Sequence, residues 1–209
     1  GGRMETGKRV GLAAVCVLSW LTAVWAGRPL TVDDADPVEQ EQFELEAGMG
    51  YVHSPGCRHW DVPLWLAYGV CADFEAGFGF AHQYERRLEF LEEKNGARHV
   101  HKNGVGDLVV GAKWRFLEEG AWIPRQALVP SVKFPTADEH DGLGSGEIDY
   151  DLMWIASKAL TDRLGAHANA GYSWIGDPDG EEVGNLVHGG LALDYLLTDT
   201  LQAVGEVFA

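Results

Sequence analysis

Between residues 73 and 82 the chain reads DFEAGFGFAH. Phe74, Phe78 and Phe80, with Ala76 between them, share one parity, and Asp73, Glu75, Gly77, Gly79 and Ala81 share the other. Period-two alternation of this kind makes a strand with one apolar and one polar face. The pattern recurs in QFELEAGMGY, DVPLWLAYG, GDLVVGAKWRF, QALVPSVKF, DYDLMWIAS, LGAHANAGYSW and VHGGLALDYLL, and more weakly in LQAVGEVF, so nine strands are expected. Most are about nine to eleven residues long, which exceeds the five or six usual in soluble sheets and matches a tilted bilayer crossing.

The connections alternate in length. HSPGCRH, the stretch 82–103, PTADEHDGLGSG and GDPDGEEVGN are long and polar, LEEGAWIPR is intermediate, and YGVCAD, KALTDR and LTDT are tight. Short turns at one end and long loops at the other describe an outer-membrane barrel with its turns in the periplasm. Alternation alone does not choose between lipid and a second sheet as the partner of the apolar face. The aromatic residues add a direction: Tyr51, Tyr68, Trp114, Phe116, Phe134, Tyr150, Tyr172, Trp174 and Tyr195 lie near strand ends on the apolar parity, as interfacial girdles do. The apolar face is therefore expected to meet lipid and the polar face to line a lumen. Glycines concentrated on the polar parity fit a sheet that curves inward.

Residues 1–26 read as a secretory signal peptide: Lys8 and Arg9 precede an apolar run, Ala26 ends an A-x-A-like site, and residues 1–3 read as translation upstream of Met4. Residues 27–41 are then a periplasmic N-terminal segment and 42–209 a barrel domain. Of the chain's 16 Lys and Arg and 32 Asp and Glu, the leader holds three and one, which leaves 13 against 31 and a net charge of −18. That balance excludes nucleic acid as a partner.

After the leader, RPLTVDDADPVEQEQFELEAG, GVGDLVVGAKWRF, ALVPSVKFPT, GSGEIDYDLMWIASKAL, LGAHANAGYSW and GGLALDY together resemble the MetA-pathway of phenol degradation family of outer-membrane proteins across residues 28–209. The resemblance implies an all-β antiparallel transmembrane β-barrel of Gram-negative bacteria, a passive channel or transporter for small hydrophobic or aromatic compounds. It implies no catalytic residues and no cofactor. The expected partners are the outer-membrane lipid, a small-molecule permeant and the barrel-assembly machinery. Even strand numbers are the rule in single-chain barrels, so nine strands lead us to expect a C-terminally incomplete barrel of about 12.

The lumen-lining candidates are Glu44, Glu46, Asp61, Glu75, Asp107, Lys113, Arg115, Lys133, Asp149, Asp151, His167, Asn169, His188, Asp194 and Glu206. They can set a field for a permeant or simply fill and stiffen a small barrel. Asp149 and Asp151 lie about 7 Å apart on one strand face with no nucleophile beside them, an arrangement commoner in salt-bridged pairs than in acid–base chemistry. His167, Asn169 and His188 form either a small ligand-contacting patch or hydrogen-bonded filler. The histidines at 53, 59, 82, 99, 101 and 140 gather toward the outer end without metal-ligand spacing, so no metal site is expected. GLGSG places its serine one position off a nucleophile elbow. YERRLEFLEEKNG reads either as a short helix that covers the mouth, with Leu88 and Leu91 on one side, or as an acidic loop. Two other functional classes stay open, an adhesin or enzyme acting through outer loops on a barrel scaffold and a soluble exported β-sandwich that binds a ligand.

Cys57 and Cys71 would lie at opposite ends of one strand, about 30 Å apart, whereas a disulfide needs Cα atoms within about 7 Å. Thiol labelling of the denatured, unreduced protein should therefore modify both. A protein labelled at neither, with the mass of an internal bond, would break that strand and the loop alternation with it.

Overall fold

The computed structural model describes residues 31–54, 56–91, 96–178 and 183–209. The expected signal peptide lies outside the described residues. Eleven strands are present among them: β1 (Phe43–Ala47), β2 (Gly50–Ser54), β3 (Cys57–Cys71), β4 (Phe74–Leu91), β5 (Gly96–Val105), β6 (Leu108–Leu117), β7 (Arg125–Phe134), β8 (Asp149–Ala159), β9 (Leu164–Trp174), β10 (Leu186–Thr198) and β11 (Leu201–Phe208). They form one antiparallel curled sheet, a half-barrel in the order β1-β3-β4-β6-β7-β8-β9-β10-β11. β2 continues the row of β1 against β3, and β5 continues the row of β6 against β4. The sheet thus has nine rows, one for each alternating segment of the sequence. Among the described residues β1 and β11 are not paired with each other.

The alternation becomes two faces. Phe43 and Leu45 of β1 are 71% and 67% exposed on the convex side, and Val110 and Leu152, near mid-strand, are each 41% exposed there. Aromatic pairs cap this side near strand ends, Phe43 on Tyr68, Tyr51 on Trp60, Trp114 on Phe116 and Tyr172 on Trp174, with ring centroids 4.7, 4.3, 5.9 and 4.8 Å apart. The buried residues lie mostly on the concave side, where Ala35, Ala127 and Ile155 form the core with Val129 and Met153 packed on it.

Two stretches expected to be loops are strand instead. Within HSPGCRH, His53 and Ser54 end β2 and Cys57, Arg58 and His59 begin β3, with Tyr51 opposing Trp60 and His53 opposing Arg58. The helix proposed within 84–96 is corrected over 84–91 and at Gly96 by the pairing of β4 with β5, which runs from His82–Val105 to Leu91–Gly96, while residues 92–95 lie outside the described residues. Pairing satisfies backbone groups that a short helix leaves open at its ends, and the register sets Glu85 opposite Lys102. Both cysteines are free, at the two ends of the 15-residue β3.

The inward glycines have a physical reason in Trp65, whose side chain points inward from β3 and lies across β4 and β6. A Cβ at Gly77 would come within 2.8 Å of its indole and of the Leu66 carbonyl, one at Gly79 within 2.7 Å of the indole, and one at Gly111 within 3.2 Å. These residues leave room for a large ring to lie flat on the curved wall.

Gly77→Ala should destabilise the protein by about 1–3 kcal/mol through overpacking. Gly205→Ala, with nothing within 4 Å of the new methyl, should be neutral or stabilise by up to about 1 kcal/mol. Urea unfolding midpoints check the difference, and equal midpoints would contradict the packing of Trp65.

Candidate functional site: the inward face and its strap

Each candidate lumen residue sits on the polar parity of its strand or at its end, and the concave curvature brings most of them into a few networks. The organiser is a segment absent from the sequence-derived set. Residues 31–41 cross the concave face as an extended strap and touch the wall at nearly every row. At β11 the Val32 N–H donates to Glu206 Oε2 (2.9 Å) and the Thr31 N–H to Oε1 (3.2 Å). At β10 the Val32 side chain presses on Gly190, where a Cβ would collide with it. At β9 the Asn169 amide, its oxygen and nitrogen assigned by their surroundings, accepts from the Asp33 N–H (2.7 Å) and donates to the Asp33 carbonyl (2.9 Å). At β8 the Ala35 N–H donates to Ser157 Oγ (2.9 Å).

Charge holds the middle of the strap. Asp33 pairs with Lys113 of β6 (2.9 Å), and Asp36 pairs with Arg115 of β6 (3.0 Å) and also with Arg125 of β7. Farther on, the Val38 N–H donates to Glu75 of β4, whose carboxylate also lies 4.0 Å from Lys113. The strap ends at a corner on β3: Glu41 takes a left-handed φ of 63°, its N–H donates to the Gly69 carbonyl (2.7 Å), and the Gly69 N–H donates to Gln42 O (3.0 Å). The left-handed turn costs a non-glycine residue about 1–2 kcal/mol, and these bonds offset it. Gly69 has no alternative, since a Cβ there would strike the Val38 and Glu39 carbonyls.

A second network lies toward the long-loop end. Lys133 reaches Asp149 (2.6 Å) and Asp107 (3.4 Å) and donates to Ser145 Oγ (2.6 Å). Ser145 belongs to GLGSG, in the β7–β8 connection, which folds inward: Leu143 is buried against Gly104, and the Gly142 carbonyl accepts from Lys102 (3.1 Å). The serine is thus tied to a lysine in a loop.

Asp151 is engaged with other partners than Asp149. Its Oδ2 accepts from Ser173 Oγ (2.7 Å) and from His188 Nε2 (2.7 Å). His167 makes a separate relay, with Nδ1 2.8 Å from Ser157 Oγ and Nε2 2.7 Å from Asp194 Oδ2, while Asp194 Oδ1 accepts from Gln202 (2.7 Å). Serine, histidine and aspartate in this order invite comparison with a hydrolase triad. Here the serine is 5% exposed and its oxygen already accepts the Ala35 N–H, so the relay fastens the strap to the wall. Glu44 and Glu46 lie opposite Ala67 and Trp65 on the inward side of β1, and Asp61 lies over Gly50 at the same end of the sheet. Of the outer histidines, His59 lies 3.5 Å from Glu85, His82 3.0 Å from Asn103 and His140 3.8 Å from Asp138. Outside the wall, hydrogen bonding from Lys158 holds the Glu119 carboxyl below its ordinary range.

The family model described as "Putative MetA-pathway of phenol degradation" matches residues 30–209. The chain belongs to this family. The match begins with the strap and takes in every strand, so wall and strap both fall inside the span that defines phenol-degradation membership. Among curated proteins the comparison finds no match to the chain.

Asp33, Asp36, Arg125 and Ser157 carry the strap and were missing from the sequence-derived set. Their signal was present as an acidic run, DDAD at 33–36, and as inward cations with no opposite charge adjacent on their own strands.

Lys113→Met should cost about 3–5 kcal/mol, because it leaves the buried Glu75 carboxylate without its cation. Asp33→Asn removes a partner that is 43% exposed at its side chain and should cost about 1 kcal/mol or less. Denaturant midpoints of the two variants check the ranking, and a Lys113→Met variant as stable as the parent would show that the strap clamp contributes nothing.

Proposed function

We propose that this family member is an outer-membrane β-barrel channel that lets small hydrophobic or aromatic molecules pass along its inward face. The observation that carries the reading is the exposed apolar row on the convex side, with Phe78, Val110, Leu152 and Leu193 in its middle and aromatic pairs near its edges. A water-facing sheet has no physical use for such a row, whereas a bilayer requires one. Membership in a phenol-degradation family supplies the direction for the cargo. No helix among the described residues is long and apolar enough to cross a membrane, so any crossing in this part of the chain is made by strands. A sealed wall further requires partners for the free edges of β1 and β11, because unpaired strand edges are not tolerated in lipid.

On this reading the concave face does the selecting. Apart from Glu44 and Glu46, most of its charges are paired with one another or with the strap, so a neutral molecule passing along it meets hydrogen-bonding groups whose demands are largely met. The strap and the inward-folded β7–β8 connection narrow the passage from two levels.

The test replaces Val110 or Leu152 by Arg. In a bilayer each change should cost about 2–4 kcal/mol. On a water-facing surface the same exposed positions should tolerate Arg within about 0.5 kcal/mol. Unfolding from lipid vesicles measures the cost, and near-neutral values at both positions would refute the lipid-facing assignment.

A further inference from the structure

A cavity of about 210 Å³ opens on the inward face beside the strap. Its walls come from Val32 of the strap, Met153 of β8, Asn169 of β9, His188 of β10 and Phe208 of β11. An apolar cavity of roughly 150 Å³ is enough to take up benzene. The volume here admits one substituted ring and falls short of the roughly 300 Å³ at which drug-sized sites begin.

Among the polar groups at this cavity, His188 has capacity to spare. Its ring lies against Gly171, whose missing Cβ makes the room, and its Nε2 is held by Asp151, itself fixed by Ser173. An ionised carboxylate only accepts, so the Nε2 proton stays on the side of Asp151 and the neutral ring keeps its lone pair on Nδ1. No described residue hydrogen-bonds that Nδ1, and the side chain is 28% exposed. Carboxylate, histidine and an open ring nitrogen beside apolar walls are arranged like the fixed polar contact of a small-molecule site.

We propose that this cavity is a binding subsite for a single-ring aromatic alcohol, with the ring among Val32, Met153 and Phe208 and the hydroxyl on His188 Nδ1. The site deepens the channel reading and rests on it for its purpose, while binding itself needs no transport. A hydroxyl suits the nitrogen in either state of the ring, donating to it when neutral and accepting from it when protonated. Met153 adds the favourable contact of a thioether with an aromatic edge. Asp151 and Ser173 are positioning residues, acting through the histidine.

The experiment compares phenol with toluene, which matches it in shape and lacks the hydroxyl. The full chain is folded in detergent micelles and each probe's affinity is measured by titration calorimetry. The parent should bind phenol about tenfold more tightly than toluene, the worth of one hydrogen bond to a fixed partner. His188→Phe should abolish that preference and leave toluene within about twofold. In the parent labelled with 15N-histidine, phenol should shift the His188 Nδ1 resonance and toluene should not, a readout that holds even if the variant fails to fold. Equal binding of the two probes by the parent, a preference that survives in His188→Phe, or an unmoved Nδ1 signal would each overturn the subsite. Liposome swelling with the same solutes reads the channel separately: binding without solute entry would sink the channel and leave the subsite standing.

Discussion

Lys113 lies buried on the inside of a curved sheet, and an ammonium in that position has to be neutralised by groups brought to it. Its own strand offers none. Glu75 comes from the neighbouring β4 and Asp33 from a segment 80 residues earlier in the chain. To deliver Asp33 the chain crosses the concave face, and once there it also delivers Asp36 to Arg115 and Arg125 and its backbone N–H groups to Glu206, Ser157 and Glu75. Val32 and Ala35 follow into the core, at 2% and 0% exposure. The core of the molecule is therefore built around a charge pairing, with few apolar residues on the side of the sheet that faces inward.

That arrangement inverts the usual relation between hydrophobicity and burial. Most of the large apolar residues are outside, and the interior is assembled from small residues, ion pairs, one indole and a few aliphatic side chains such as Ile155 and Val32. Trp65 shows what this requires: a ring of that size fits inside a curved wall only where β4 and β6 carry glycine beneath it. The same logic places Gly171 under His188, so that a side chain on one strand occupies volume given up by its neighbour.

Much of this was legible in the sequence. Period two is a local property of an extended backbone, so the nine rows, the face to which Val110 and Asp151 each belong and the separation of Cys57 from Cys71 follow from reading neighbours alone. The strap was not legible as a contact, because the Ala35–Ser157 and Val32–Glu206 bonds join residues 122 and 174 positions apart, and no local pattern encodes such a meeting. The β4–β5 hairpin was missed for a different reason. Past Phe80 the strand carries His82, Gln83, Glu85, Arg86 and Arg87, and a ribbon of polar residues shows no alternation of apolar and polar positions. Where large apolar residues stop recurring, the signal that reveals strands stops with them.

The rows differ greatly in length. β4 runs 18 residues and β3 15, whereas β7 has 10 and β11 only 8. At 3.3 Å per residue this is about 60 Å of ribbon at β4 and about 33 Å at β7. The rim is consequently uneven, and the β4–β5 ribbon stands above it as a tall screen beside the lower edge at β7.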